Sequence, residues 1–192
     1  IGKTTLAARF GSETRVFESV IFSALADVET ADGLAAAVAS TLGVELEAAE
    51  DPLDRIGNAL AGLQKPLVIL DNVEQMLEIT THAVSRWLRQ APEVCFVVTT
   101  RTPLHIRDER TIDLGLLEPE DADRLFDHHA RVDTNPRARR QLVEALDRLP
   151  LAIVLAASMA HMMPPGQMLD QFDKSLEILR SRDPLIEERH SS

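Results

Sequence analysis

One cysteine, Cys95, stands among 192 residues, so no disulfide framework can form within the chain, and a reducing compartment suits it. It lies in the apolar run Val94–Val98, where cysteine serves as a small buried hydrophobe. Basic charge is short as well: 20 lysines and arginines against 31 acidic residues give a net charge of −11. With no concentrated basic run, that balance excludes a segment that grips a nucleic-acid backbone or an anionic membrane. Long apolar runs are missing too. The longest, Leu149 to Met163, is too short for a membrane span and carries His161. The first residues do not resemble a signal peptide. No repeat, low-complexity segment or metal-ligand spacing is present; His128 and His129 are adjacent on a predicted helix and point to different faces. Ser158, in an apolar helix, reads as packing rather than as a nucleophile. What is left is a cytoplasmic module of one domain, or of one domain with a small appendage.

The most informative stretch that is present is Leu67-Val68-Ile69-Leu70-Asp71-Asn72-Val73-Glu74. Four branched apolar residues entered from Pro66 predict a short strand buried on both faces, as in a parallel sheet. Two roles fit the carboxylate that ends it. Asp71 caps a helix beginning near Val73, or it presents its charge at the carboxyl edge of the sheet, where α/β proteins bind ligands. The start of the chain favours the second. Gly2-Lys3-Thr4-Thr5 is the back half of the phosphate loop G-x-x-x-x-G-K-[ST]. There, backbone N–H groups close around phosphate oxygens, the lysine carries charge to the outer phosphates, and the next hydroxyl ligates Mg²⁺. A helix follows in Leu6 to Phe10, with its N-terminus aimed at the anion. Numbering begins inside this motif, which reads as a segment of a longer protein.

Further along, Val16 to Phe22 predicts a strand and Asp32 to Leu42 a helix closed by Gly43. Asp51 and Pro52 open a helix running to Leu63, with Leu53, Ile56, Leu60 and Leu63 on one face. A helix from Thr80 to Gln90 places Trp87 in the core. Cys95 to Val98 is a second buried strand, ending at Thr99-Thr100-Arg101. Arg101 therefore emerges at the same sheet edge as Asp71, where a cation would lie close to a nucleotide's outer phosphate. Thr111 to Leu114 reads as a brief strand and Glu118 to Val132 as a helix. From Asn135-Pro136 onward the pattern is all helical: Leu142, Val143 and Leu146 line one face, an apolar helix spans Leu151 to Met162, and another spans Gln167 to Leu179. These patterns predict an α/β domain at residues 1–117, a helical subdomain at 118–180, and a polar tail at 181–192 leading to a further domain.

In this order, Gly2-Lys3-Thr4-Thr5, Leu67–Gln75, Val97–Arg101 with Pro103-Leu104, and Arg148-Leu149-Pro150-Leu151-Ala152 resemble the STAND class of signalling NTPases, also called NB-ARC or AP-ATPase domains. The likeness is greatest to the bacterial branch found in large LuxR- or SARP-type transcriptional regulators and related multidomain signalling proteins. It implies an ASCE-type P-loop NTPase fold, here an α/β parallel sheet lacking its first strand and followed by a small helical bundle, clamped around ATP or ADP with Mg²⁺. By position, Gly2, Lys3, Thr4 and Thr5 would bind phosphates, Thr4 and Asp71 would hold Mg²⁺, and Arg101 would read the γ-phosphate. Pro150 matches a Gly-Leu-Pro motif that packs near the nucleotide, although Arg148 stands where the motif has glycine. The family further implies other domains of the same polypeptide as partners (winged helix, repeat sensor, effector) and a homo-oligomer on activation.

Asn72 occupies the place where fast P-loop ATPases carry an acid that polarises the attacking water, and asparagine cannot accept that proton. Glu74 is the next acid along. The reading that follows is a regulatory switch with slow ATP hydrolysis at most, reorienting its helical part as ADP gives way to ATP. Its alternatives are a degenerate, non-binding scaffold and an ordinary ATP-dependent enzyme.

Overall fold

The computed structural model describes residues 2–47 and 49–181, except for the side chains of 173 and 175–181. The expected polar tail, from residue 182 on, and Ile1 lie outside the described residues. The chain falls into two compact units, Gly2–Asp113 and one that begins at Leu114. The first is built on three parallel strands in the spatial order β1 (Ser19–Ala24), β2 (Pro66–Asp71), β3 (Cys95–Thr99). The second is helical. Together these give the α/β class that the sequence predicts, a parallel sheet followed by helices.

Every residue of β2 is buried. Val68 and Leu70 point into a large core shared with α2 (Ala31–Leu42), α3 (Pro52–Ala61) and α4 (Leu77–Gln90); Leu67 and Ile69 point to the opposite face, against Ala7 of α1 (Lys3–Glu13). Burial on both sides explains why Leu67–Leu70 is uniformly apolar rather than alternating. The ladder registers place Ala24, Asp71 and Thr99 side by side at the carboxyl edge. Helix boundaries follow from local chemistry. Asp51 accepts the N–H groups of Leu53 and Asp54, with Pro52 at the first helical position of α3. Gly43 closes α2 in the left-handed conformation, φ +69°.

Trp87 is fully buried in the larger core. It stacks on Phe96 at 6.0 Å between ring centroids and donates its indole N–H to the Leu53 carbonyl at 3.0 Å. Arg86 beside it bridges Asp51 and Asp54, which ties the start of α3 to α4.

The helical unit comprises α5 (Pro119–Ala130), α6 (Pro136–Ala145), α7 (Pro150–Met159) and α8 (Pro165–Ser181). Ala122, Phe126, Leu142, Val143, Ile153 and Ala157 make its core. Asn135 caps α6 by accepting the N–H groups of Arg137 and Ala138. Asp147 and Arg148, between α6 and α7, both have φ +51°. Arg148 thus adopts, at a cost of roughly 1 kcal/mol, the backbone that glycine takes freely.

Several sequence expectations need correction. Thr111 to Leu114 forms no strand: β-branched residues there have no neighbouring strand to pair with, and Ile112 is 82% exposed. β1 begins at Ser19 rather than Val16, because the ladder starts only where Ser19 meets Pro66. A 3₁₀ turn at Glu74–Met76 leads directly into α4, which starts at Leu77 rather than Thr80. α8 starts at Pro165, since proline is tolerated in a first turn, rather than at Gln167. Cys95 to Val98 of β3 are half-buried rather than enclosed, although burial still pushes the Cys95 thiol pKa up. Ser158 is exposed and bonds the Leu155 carbonyl within its own helix, so it does not pack in the core.

Replacing Trp87 by alanine removes the largest buried side chain and is expected to cost about 3–5 kcal/mol. Denaturant unfolding followed by circular dichroism measures this; a loss below about 1 kcal/mol would show that the Trp87–Phe96 stack does not organise the core.

Candidate functional site

The carboxyl edge of the sheet gathers residues that are far apart in sequence. Gly2 immediately precedes α1, and its φ of +84° falls in the region that favours glycine. No side chain caps this helix and no acid occupies its first turn, so its leading N–H groups and positive dipole end carry no built-in anion. From that first turn, the Thr4 hydroxyl donates to Asp71 Oδ2 at 3.0 Å across 67 residues of sequence. Thr99, Asp71's partner in the β2–β3 register, donates its hydroxyl to Oδ1 at 2.6 Å. The same Thr99 oxygen accepts the Asn72 N–H at 2.9 Å. Asp71 is therefore not the cap of the turn Glu74–Met76, whose N-cap position is Val73 and which has no side-chain cap.

Asp71 is 6% exposed, and two neutral hydroxyls donate to its carboxylate. A buried carboxylate held this way is stabilised further by a cation at its open side. The oxygen-only set formed by the Thr4 hydroxyl and the Asp71 carboxylate suits a hard divalent ion that keeps most of its ligands as water or phosphate, as Mg²⁺ does. Together with Gly2 and the uncapped α1 terminus, these residues fit a Mg²⁺–phosphate group.

A second cluster adjoins the first. Lys3 Nζ donates to the Thr100 carbonyl at 2.8 Å and to Glu74 Oε1 at 3.1 Å. Arg101 Nε lies 3.3 Å from that same Glu74 oxygen, while 83% of the Arg101 side chain remains exposed. Two cations thus share one carboxylate oxygen. The left-handed conformation of Asn72, φ +66°, starts the turn that carries Glu74, and asparagine tolerates it better than most residues.

Of the site residues read from sequence, the structure brings together Gly2, Lys3, Thr4, Asp71, Glu74 and Arg101. Thr5 is exposed in the first turn of α1. Pro150 belongs to the helical unit, at the first position of α7. Sequence reasoning missed Thr99 and the Thr100 carbonyl as partners. The signal for Thr99 was its place at the end of a strand parallel to the one ending in Asp71. Among the described residues there is no group of three or more His, Cys, Asp or Glu that could hold a metal ion, and no helix is long and apolar enough to cross a membrane.

No protein-family model matches the chain. It is 27% identical over 188 residues to proteins provisionally named HTH-type transcriptional regulators, one from Mycobacterium bovis and others from two strains of Mycobacterium tuberculosis. The match covers 93% of this chain and 21% of each relative, so the chain spans about a fifth of their length. It thus resembles one segment of longer proteins named for transcriptional regulation.

Thr99→Val keeps the shape of the side chain and removes both of its hydrogen bonds. It is expected to cost about 1–3 kcal/mol, whereas Thr99→Ser costs much less. Equal losses for the two variants in urea titrations would mean that the hydroxyl does not hold Asp71.

Proposed function

We propose that this chain is a nucleotide-binding switch module within a longer transcriptional regulator of the STAND or NB-ARC type. The observation that carries the reading is the 3.0 Å bond from Thr4, in the first turn of α1, to Asp71, at the end of the buried strand. These are the two oxygens that a phosphate-loop hydroxyl and a strand-end carboxylate would bring to one Mg²⁺. The mycobacterial relatives add the regulatory context. With a net charge of −11, this segment leaves DNA contact to other parts of the polypeptide.

In this account the N–H groups of the first turn of α1 bind phosphate oxygens, and Lys3 carries its ammonium to the outer ones. Thr4 and Asp71 hold Mg²⁺, which when bound neutralises charge between the outer phosphates. Arg101 supplies a second cation from the end of β3. Asn72, which follows the strand-end carboxylate, cannot take a proton from water. ATP turnover is therefore slow, and the two nucleotide states act through their different affinities for two arrangements of the polypeptide.

Calorimetry on the full-length protein should find ATP binding that Lys3→Ala abolishes; unchanged affinity would remove Lys3 from the site. Wild-type hydrolysis should stay below about 10⁻² s⁻¹. An acid at position 72 is best introduced as Asn72→Asp, because aspartate tolerates the left-handed backbone better than glutamate. Turnover of about 1 s⁻¹ or more by the wild type would contradict a switch.

A further inference from the structure

We propose that Glu74 is a specificity-determining residue that stands in for the terminal phosphate and so sets the preference between nucleoside triphosphate and diphosphate. The inference rests on the nucleotide reading above and goes beyond it in assigning this carboxylate a competitive role. Its Oε1 atom lies 3.1 Å from Lys3 Nζ and 3.3 Å from Arg101 Nε. An anionic oxygen between an ammonium and a guanidinium has the surroundings that a terminal phosphoryl oxygen would need there. Glu74 reaches this point because Asn72 turns the chain in the left-handed conformation and the 3₁₀ turn Glu74–Met76 begins at once. The carboxylate is anchored on a short rigid turn whose last residue, Met76, is buried in the core.

A ligand phosphate must displace Glu74 from each cation it claims. The cost falls unequally. A ligand whose last phosphoryl group reaches both Lys3 and Arg101 breaks both contacts and replaces them with its own. One that ends a phosphate short satisfies Lys3 at most and leaves Arg101 with Glu74. Removing the carboxylate's charge therefore removes a larger penalty for the triphosphate than for the diphosphate. Arg101, largely exposed and 3.3 Å from Glu74 through Nε, is the contact that yields.

The test measures Kd for ATP and for ADP, each with Mg²⁺, on the full-length protein, comparing wild type, Glu74→Gln and Arg101→Gln with the double variant. Glu78→Gln, an exposed acid on α4, serves as a charge control. Glu74→Gln is expected to shift the ATP-over-ADP preference about fivefold toward ATP, as befits partly exposed ion pairs. Glu78→Gln should leave the preference alone, and the Glu74 effect should vanish once Arg101 is replaced. A thermal melt of each variant separates these shifts from loss of folding, and Glu74→Asp, charged but one methylene shorter, keeps the comparison available if the glutamine variant is unstable. Equal changes for both nucleotides, or weaker ATP binding, would overturn the stand-in role while leaving the nucleotide site intact. Unchanged affinities with reduced hydrolysis would make Glu74 a catalytic group instead. If neither wild type nor Glu74→Gln binds either nucleotide, the nucleotide reading itself fails, and this inference with it.

Discussion

The carboxylate of Asp71 is the constraint around which the α/β unit is arranged. It ends a strand buried on both faces, and a charge in that position is tolerated only where donors meet it. Two hydroxyls do so, one from the first turn of α1 and one from the neighbouring strand. Each bond fixes more than the carboxylate. Through Thr4 it sets where the N-terminus of α1 lies, and through Thr99 it orders the turn after β2, because the same oxygen takes the Asn72 N–H. The Asp71 carbonyl also accepts the Leu25 N–H, which ties the exit of β1 to the same point.

Packing makes that arrangement rigid. β2 has apolar partners on both sides: the broad core under α2, α3 and α4, and the smaller one beneath α1. A residue at its end therefore has little freedom, which is what precise placement of a small charged site requires. The cations sit differently. Lys3 and Arg101 reach in from the helix start and the strand end, remain partly or largely exposed, and are gathered by one glutamate. A buried acid beside more exposed bases is the arrangement that the proposed exchange of partners requires.

Much of this was legible in the sequence where the determinant is local. The unbroken run Leu67–Leu70 announced a two-sided strand, and Asp51-Pro52 and Asn135-Pro136 announced helix starts through capping chemistry. What escaped depends on partners distant in the chain. Thr111–Leu114 has β-branched residues but no ladder, and no local pattern reveals a missing neighbour. That Asp71 faces the sheet edge rather than capping the next turn was suggested only by the distant Gly2-Lys3-Thr4 motif, and the bonds from Thr4 and Thr99 bear it out. Glu74 could not be oriented from sequence, because its direction depends on the left-handed turn at Asn72. Arg148 shows the converse: it departs from the glycine of the motif it resembles, yet its backbone keeps a glycine-like φ of +51°.

The central claim is that Thr4 and Asp71 form half of a divalent-cation site that nucleotide phosphates complete. Electron paramagnetic resonance of Mn²⁺ with the full-length protein and a non-hydrolysable ATP analogue tests it most directly. The account predicts one protein-bound Mn²⁺ that appears only with the nucleotide and is lost in Asp71→Asn. A bound signal that is independent of nucleotide, or that persists unchanged in Asp71→Asn, would contradict it.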